Sequence, residues 1–326
     1  MNFTLPEAQL ICESDNVFAA LRKWQRLNLK TAIVTLVGID GSSPRPLGAQ
    51  MAVAEDGSHV GYLSGGCFEN AVAAQAVAQI KDQRNALIRY GKGSAYFDIQ
   101  LPCGSGLDLY FDHCISTSFL QQIERLINDR TPASVVMDLG TGSKTIAPLP
   151  PGTQQKCGSE GNLFRLTYLP VIRTLVAGNG AIFSTVAKLF KACGFMVTCI
   201  THDEAAGADL ARHGIECHRS LRVGLESVGS LDCYSAVVLT FHEHEHELPV
   251  LEFALRSDSF YIGALGGHLT SSRRRALLEQ RGFGAEGINR VRSPIGLIPN
   301  AKSKLSASVS ILAELVLEAK VLHIIE

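Results

Sequence analysis

Two cysteines in this chain stand where a thiol can do more than fill space. Cys67 closes the run Ser64-Gly65-Gly66-Cys67 just ahead of an alanine-rich segment, and Cys103 lies in Leu101-Pro102-Cys103-Gly104-Ser105-Gly106. A helix start stabilises a thiolate, and neighbouring glycines leave room for a ligand and for backbone contacts to it. A thiolate is a soft ligand, suited to soft metals and to sulfur exchange. The plainer alternative is two small turn residues, since free cysteine is usually a buried small hydrophobe. A third segment, Gly41-Ser42-Ser43-Pro44-Arg45-Pro46-Leu47-Gly48, holds an arginine between two prolines. That is either a stiff arm for gripping an anion or an ordinary proline-rich turn with a solvated arginine.

The back half carries a different signal. Gly178-Asn179-Gly180 falls between an apolar strand pattern and an apolar helix pattern. In that context the first glycine permits the turn, and the second lets backbone N–H groups approach a phosphate at the helix start. Asp203 follows the next strand, about where a ribose-binding acid belongs. Phe183 stands where the fingerprint has its third glycine; a ring there is expected to weaken helix–strand packing and to obstruct a pyrophosphate. The alternative is a Rossmann fold with an altered or empty nucleotide site. His242-Glu243-His244-Glu245-His246-Glu247 resembles a metal cluster but lacks a separate ligand of matching spacing; a polar loop and helix start is the simpler reading. Arg273-Arg274-Arg275 is expected on a solvated helix face.

The elements that must position these residues are read from hydrophobic period and punctuation. Asp15 is expected to cap a helix to about Leu27. Thr31–Ile39 reads as a buried strand, and Met51–Ala54 and His59–Leu63 as a hairpin around Asp56-Gly57. A helix is expected over 68–83, a strand over 107–111, a helix capped by Ser116 to about Asp129, and a strand over 133–137. Residues 146–162, rich in proline and glycine, are a linker candidate or a surface excursion before a boundary. From Arg173 strands and helices alternate: strands at 174–177, 196–200, 236–240 and 261–264, and helices at 181–193, 205–213, 248–255, 271–280 and 306–320. The fold class expected is α/β: an N-terminal mixed α+β domain over 1–165, then a C-terminal Rossmann-like, doubly wound parallel-sheet domain over 170–326.

Composition bounds the function. With 326 residues, 46% hydrophobic, and a net charge of −1, the chain can bury two cores and presents no basic face. Nucleic acid and anionic membrane are therefore not expected as partners. No apolar run reaches the roughly 20 residues a membrane span needs, and the N-terminus does not read as an export signal. Nine cysteines, an odd number, with Cys193 and Cys199 inside apolar patterns, read as reduced thiols in a cytoplasm. No nucleophile elbow, lysine-bearing phosphate loop or His-Glu-x-x-His motif stands out.

At these residues the chain resembles the xanthine dehydrogenase accessory factors of the XdhC/CoxI type. The resemblance spans nearly the whole chain and rests on GSSPRPLGAQM (41–51), GYLSGGCFE (61–69), LPCGSG (101–106), GNG (178–180), YIGALGG (261–267), SPIGL (293–297) and SILAEL (310–315). It implies a maturation factor rather than an enzyme. Such a protein binds the molybdenum cofactor, protects it while its terminal sulfido ligand is installed, and inserts it into a xanthine dehydrogenase-family molybdoenzyme. It further implies a homodimer and a cysteine desulfurase as sulfur donor. Carried onto this chain, Cys67 and Cys103 become the residues contacting molybdenum or its sulfur, with Gly65, Gly66 and Gly104 beside them. Arg45 pairs with an anion of the ligand, Gly178 and Gly180 take the phosphate of the pterin or its dinucleotide form, and Asp203 is a further cofactor-binding residue, placed as a ribose-binding acid. The alternative is an NAD(P)-dependent oxidoreductase using the same glycine turn, with Asp203 on the ribose.

Overall fold

The computed structural model describes residues 16–64, 68–94, 104–241 and 244–325. Gly65, Gly66, Cys67 and Cys103 lie outside the described residues, as do Asp15, His242 and Glu243. The chain divides into two compact units, with Pro170 in the first and Val171 in the second.

The first unit comprises α1 (Val17–Arg26), β1 (Thr31–Asp40), β2 (Gln50–Ala54), β3 (His59–Gly61), α2 (Glu69–Asp82), β4 (Ala86–Gly91), β5 (Gly106–Asp112), α3 (Thr117–Asn128), β6 (Ala133–Asp138), β7 (Lys144–Pro148), β8 (Cys157–Glu160) and β9 (Leu163–Tyr168). Five strands form an antiparallel sheet in the order β3-β2-β1-β5-β4, and the other four form a second sheet, β7-β6-β9-β8. Helix α1 buries Val17, Leu21 and Trp24, one face at spacings of four and three. Asn16, not Asp15, caps it by accepting the Ala19 N–H. Central strand β1 is buried at every position from Thr31 to Val37. The reason is packing on both faces: Ala32, Val34 and Leu36 meet Val72, Ala76 and Ile80 of α2, while Ile33 joins Leu21 and Trp24 of α1. That explains a continuous apolar run where one buried face would have produced alternation.

The proline- and glycine-rich segment 146–162 is not a free linker. It contains the end of β7 and all of β8, both tied into the first unit's second sheet through β6 and β9. Short, half-exposed strands of this kind lack the apolar period that marks a strand in sequence. Strand β4 is equally silent for the same reason.

The second unit runs β10 (Arg173–Gly178), α4 (Gly180–Ala192), β11 (Met196–Ile200), α5 (Glu204–Arg212), β12 (Glu216–His218), α6 (Leu221–Val228), β13 (Ser235–Thr240), α7 (His244–Leu255), β14 (Tyr261–Ala264), α8 (His268–Gln280), α9 (Ala285–Asn289), β15 (Val291–Arg292) and α10 (Lys304–Val321). All its strand pairs are parallel, in the order β12-β11-β10-β13-β14-β15. Counted within the unit this is 3-2-1-4-5-6, the doubly wound order of dinucleotide-binding folds. Separate cores cover the two sheet faces.

Two expectations are corrected here. Phe183 is fully buried among Val176, Val186, Ala187 and Phe190. Its ring fills the helix–sheet interface rather than weakening it, and it offers nothing to a ligand above the turn. Arg274 is 1% exposed, not solvated. It pairs with the equally buried Glu247 of α7 and donates to the Leu265 carbonyl at 2.8 Å. Arg273 and Arg275 do face solvent. Cys199 is buried beside Cys217, whereas Cys193, just past α4, is exposed.

Candidate functional site

The antiparallel order of the first sheet has a direct consequence for its loops. Strands β1, β3 and β4 end, and β2 and β5 begin, at one edge: Asp40 lies opposite Gly106, Gly91 opposite Gly106, and Gly61 opposite Met51. Connections starting at Gly41, Tyr62 and Lys92 therefore leave from that same edge. These three connections carry Arg45, Cys67 and Cys103.

Side chains stitch the described parts of these loops together. The Ser42 N–H donates to Ser105 Oγ at 3.1 Å, tying the arginine loop to the residues that follow Cys103. Arg45 Nη1 donates to Tyr62 Oη at 3.0 Å, and its guanidinium carbon lies 4.2 Å from the Tyr62 ring centre. Arg45 Nε is buried with no hydrogen-bond partner among the described residues. Below them Arg89 clasps Asp108 at 3.0 Å and Asp40 at 2.9 Å, bracing β4, β5 and β1 where the loops emerge. Because this pairing is part-exposed, it fixes geometry more than it adds stability. Gly104, beside Cys103, has a left-handed backbone, and no described residue comes within 4 Å of its would-be β-carbon.

Glu69, the first residue of α2, is the feature that sequence reading passed over. Its carboxylate is 7% exposed and accepts from Leu63 N at 3.0 Å, Ser64 N at 2.8 Å, Phe68 N at 3.2 Å and the Ser64 hydroxyl. One side chain thus holds the chain on both sides of residues 65–67. Burial alone would raise its pKa, but the backbone N–H donors of Ser64 and Leu63 overcome that and hold it at about 2. The signal available in sequence was a serine five residues ahead of an acidic helix start, closing over two glycines.

In the second unit Gly178 and Gly180 flank the start of α4. A β-carbon at Gly178 would collide with the Thr240 backbone and hydroxyl, so glycine there lets β10 and β13 close together. Gly180, at φ +78°, has no described residue within 4 Å of its would-be β-carbon. Asn179 Oδ1 accepts from Thr201 Oγ1 at 2.8 Å and from the His202 N–H at 3.3 Å. The turn is thereby locked to the loop after β11, beside the point where strand order reverses. Asp203 lies in that loop, but its carboxylate caps α5 by accepting the Ala206 N–H at 3.0 Å. His246 of α7 packs its ring 4.5 Å from that of His202. Among the described residues no group of three potential ligands gathers to hold a metal.

A cleft of about 520 Å³ lies elsewhere in this unit, lined by Leu225, Leu231, Pro249, Phe253 and Arg256 among others, and contains none of the residues singled out in sequence. No described helix is long and apolar enough to cross a membrane.

Comparison with known proteins finds family matches and relatives for this chain. Residues 24–91 match the model of the XdhC and CoxI family, and residues 174–315 match that of the XdhC Rossmann domain. The chain is 33% identical over 282 residues to the molybdenum cofactor insertion chaperone PaoD of Escherichia coli, covering 86% of this chain and 81% of that one. It is 24% identical over 316 residues to a probable xanthine dehydrogenase subunit of Bacillus subtilis, covering 88% of this chain and 92% of that one. In fold it resembles a crystal structure described as a xanthine dehydrogenase from Bacillus halodurans, with a TM-score of 0.74 at 20% identity over 93% of this chain and 96% of the other.

Proposed function

The chain belongs to the XdhC and CoxI family, and from that premise we propose that it is a molybdenum cofactor chaperone. It takes up the cofactor as cargo, shields it while the terminal sulfido ligand is installed, and inserts it into a molybdoenzyme of the xanthine dehydrogenase family. A cysteine desulfurase supplies the sulfur, and the chaperone works as a homodimer in the cytoplasm. The relative named as an insertion chaperone supports the cargo.

One observation carries the assignment of the site. The loops holding Arg45, Cys67 and Cys103 start from a single edge of the first sheet, with Ser42–Ser105 and Arg45–Tyr62 linking them. The donor set suits the cargo: two thiols for a soft metal or its sulfur, and an arginine with an orphaned buried N–H for an anion. In this reading Gly65, Gly66 and Gly104 let the ligand approach, and Cys67 and Cys103 contact the molybdenum side. Gly178 and Gly180 are assigned to a phosphate of the pterin or of its dinucleotide form, and Asp203 to a ribose hydroxyl of the dinucleotide form.

The test is metal and pterin analysis of protein co-expressed with a cofactor-deficient target dehydrogenase, followed by activation of that target. Wild-type protein is expected to carry molybdenum and pterin, and Cys67→Ala and Cys103→Ala to lose them. Full retention by both variants removes the thiol role. A second reading, an NAD(P)-dependent oxidoreductase, draws on the 3-2-1-4-5-6 strand order and the open glycine turn. Titration by NADH fluorescence separates the two: saturable binding supports the oxidoreductase, and its absence removes it.

A further inference from the structure

We infer that Arg45 and Tyr62 together form a seat for a tetrahedral oxyanion, with Tyr62 as the positioning residue that turns one edge of the guanidinium toward it. Tyr62 lies within the GYLSGGCFE motif but has no role assigned from the sequence. The guanidinium has two donor edges. The Nη1 side is engaged, donating to Tyr62 Oη at 3.0 Å, and one face is covered by the Tyr62 ring at 4.2 Å. The Nε side has no partner among the described residues, although Nε itself is buried.

A buried N–H without an acceptor is costly, the more so on a charged group. Such a group persists where a ligand supplies the acceptor. The Nε/Nη2 edge of an arginine is a planar fork matched to two oxygens of one oxyanion. Stacking on Tyr62 fixes the plane of that fork, and Pro44 and Pro46 stiffen the backbone that carries it. The Arg45 N–H donates to Ser43 Oγ at 3.2 Å, which further holds the loop's shape. Tyr62 is 37% exposed and Arg45 part-exposed, so the stacked pair lies near the surface, with Nε on its buried side.

What the oxyanion belongs to rests on the reading of this edge as the cargo site: a phosphate ester of the cargo, or the oxo end of its metal. The contact itself is tested without cargo, using inorganic phosphate and molybdate as probes in calorimetric titrations of the full chain. Wild-type protein is expected to bind one or both, Arg45→Ala to bind neither, and Arg45→Lys to bind about tenfold more weakly, because lysine keeps the charge but loses the fork. Tyr62→Phe, which keeps the stack and loses the hydroxyl, is expected to weaken binding severalfold, and Tyr62→Leu more so. Protection of Arg45 from phenylglyoxal by the same anions gives a second readout that does not depend on a variant folding.

Tighter phosphate binding assigns the ester end, and tighter molybdate binding the metal end. No binding by wild type, or wild-type affinity in Arg45→Ala, overturns the seat. Wild-type affinity in Arg45→Lys overturns the fork, and in both Tyr62 variants the positioning role. Molybdenum content measured in parallel keeps the two claims apart. Anion binding without retained molybdenum rejects the cargo reading only, and retained molybdenum without anion binding rejects the seat only.

Discussion

At the scale of single residues, Glu69 shows how a buried charge can be held by N–H and O–H donors, with no cationic partner among the described residues. Among the described residues four donors converge on it, three of them backbone N–H groups on either side of residues 65–67. Its pKa is depressed in the folded state from an ordinary 4.5 to about 2. The stability it contributes is therefore fully present above pH 4.5 and is lost as pH falls through about 2. Glu69→Ala is expected to cost about 1–3 kcal/mol at neutral pH, by leaving donors unpaired. Glu69→Gln should flatten this part of the acid profile; urea denaturation of the two variants from pH 6 down to pH 2 checks both, and an unchanged acid profile in Glu69→Gln would refute the assignment. Gly178 invites a second test. Its would-be β-carbon meets the Thr240 carbonyl carbon at 2.8 Å, and backbone cannot swing aside as a flexible side chain can. Gly178→Ala is expected to destabilise by about 1–3 kcal/mol, whereas Asn179→Ala should mainly loosen the loop at Thr201 and His202.

At the scale of elements, the packing of α4 and the α7–α8 pair carries the argument. Phe183 lies under α4 in the core, so Phe183→Ala is expected to cost about 3–5 kcal/mol by leaving a cavity. Phe183→Gly would restore the third glycine of the fingerprint, yet should destabilise rather than improve ligand binding; a gain in nucleotide affinity without loss of thermal stability would contradict the buried ring. Helices α7 and α8 are joined through Glu247 and Arg274, each about 2% exposed. Removing one partner strands a charge away from water. Arg274→Ala and Glu247→Ala are each expected to cost about 3–5 kcal/mol, while replacing both with apolar residues costs far less. A double-mutant cycle in chemical denaturation measures the difference.

At the scale of the whole molecule, each unit closes its own cores, and the chain's single tryptophan, Trp24, is buried in the first. Tryptophan fluorescence thus reports on that unit alone, while far-ultraviolet circular dichroism sees both. Arg274→Ala is expected to shift the dichroism transition and leave the fluorescence midpoint in place. Equal shifts in both signals would mean that the units unfold as one. The near-neutral charge, −1 overall, has its own consequence. Binding to DNA should be weak and vanish at physiological salt, since few phosphates can be neutralised.

The order and type of the long elements were legible in the sequence because burial imposes a period on it. Strands β10, β11, β13 and β14 stood out within a residue or two, and the helices α4 and α5 did too, while α7 and α8 begin four and three residues earlier than their apolar period showed; the motifs that mark the family were also legible. Strands β4, β7, β8 and β12 were silent, because short and part-exposed strands have no core face to write into the chain. Residue contacts were hidden for a deeper reason. A tripled arginine looks solvated until helix packing turns the middle one inward, and a phenylalanine beside a glycine turn looks obstructive until the helix rotates it into the core. The meeting of Arg45 with Tyr62, and of Ser42 with Ser105, joins residues 17 and 63 positions apart. Sequence determined which residues could do chemistry; sheet topology alone decided which loops leave from the same edge, since only antiparallel pairing in a set register brings distant turns together.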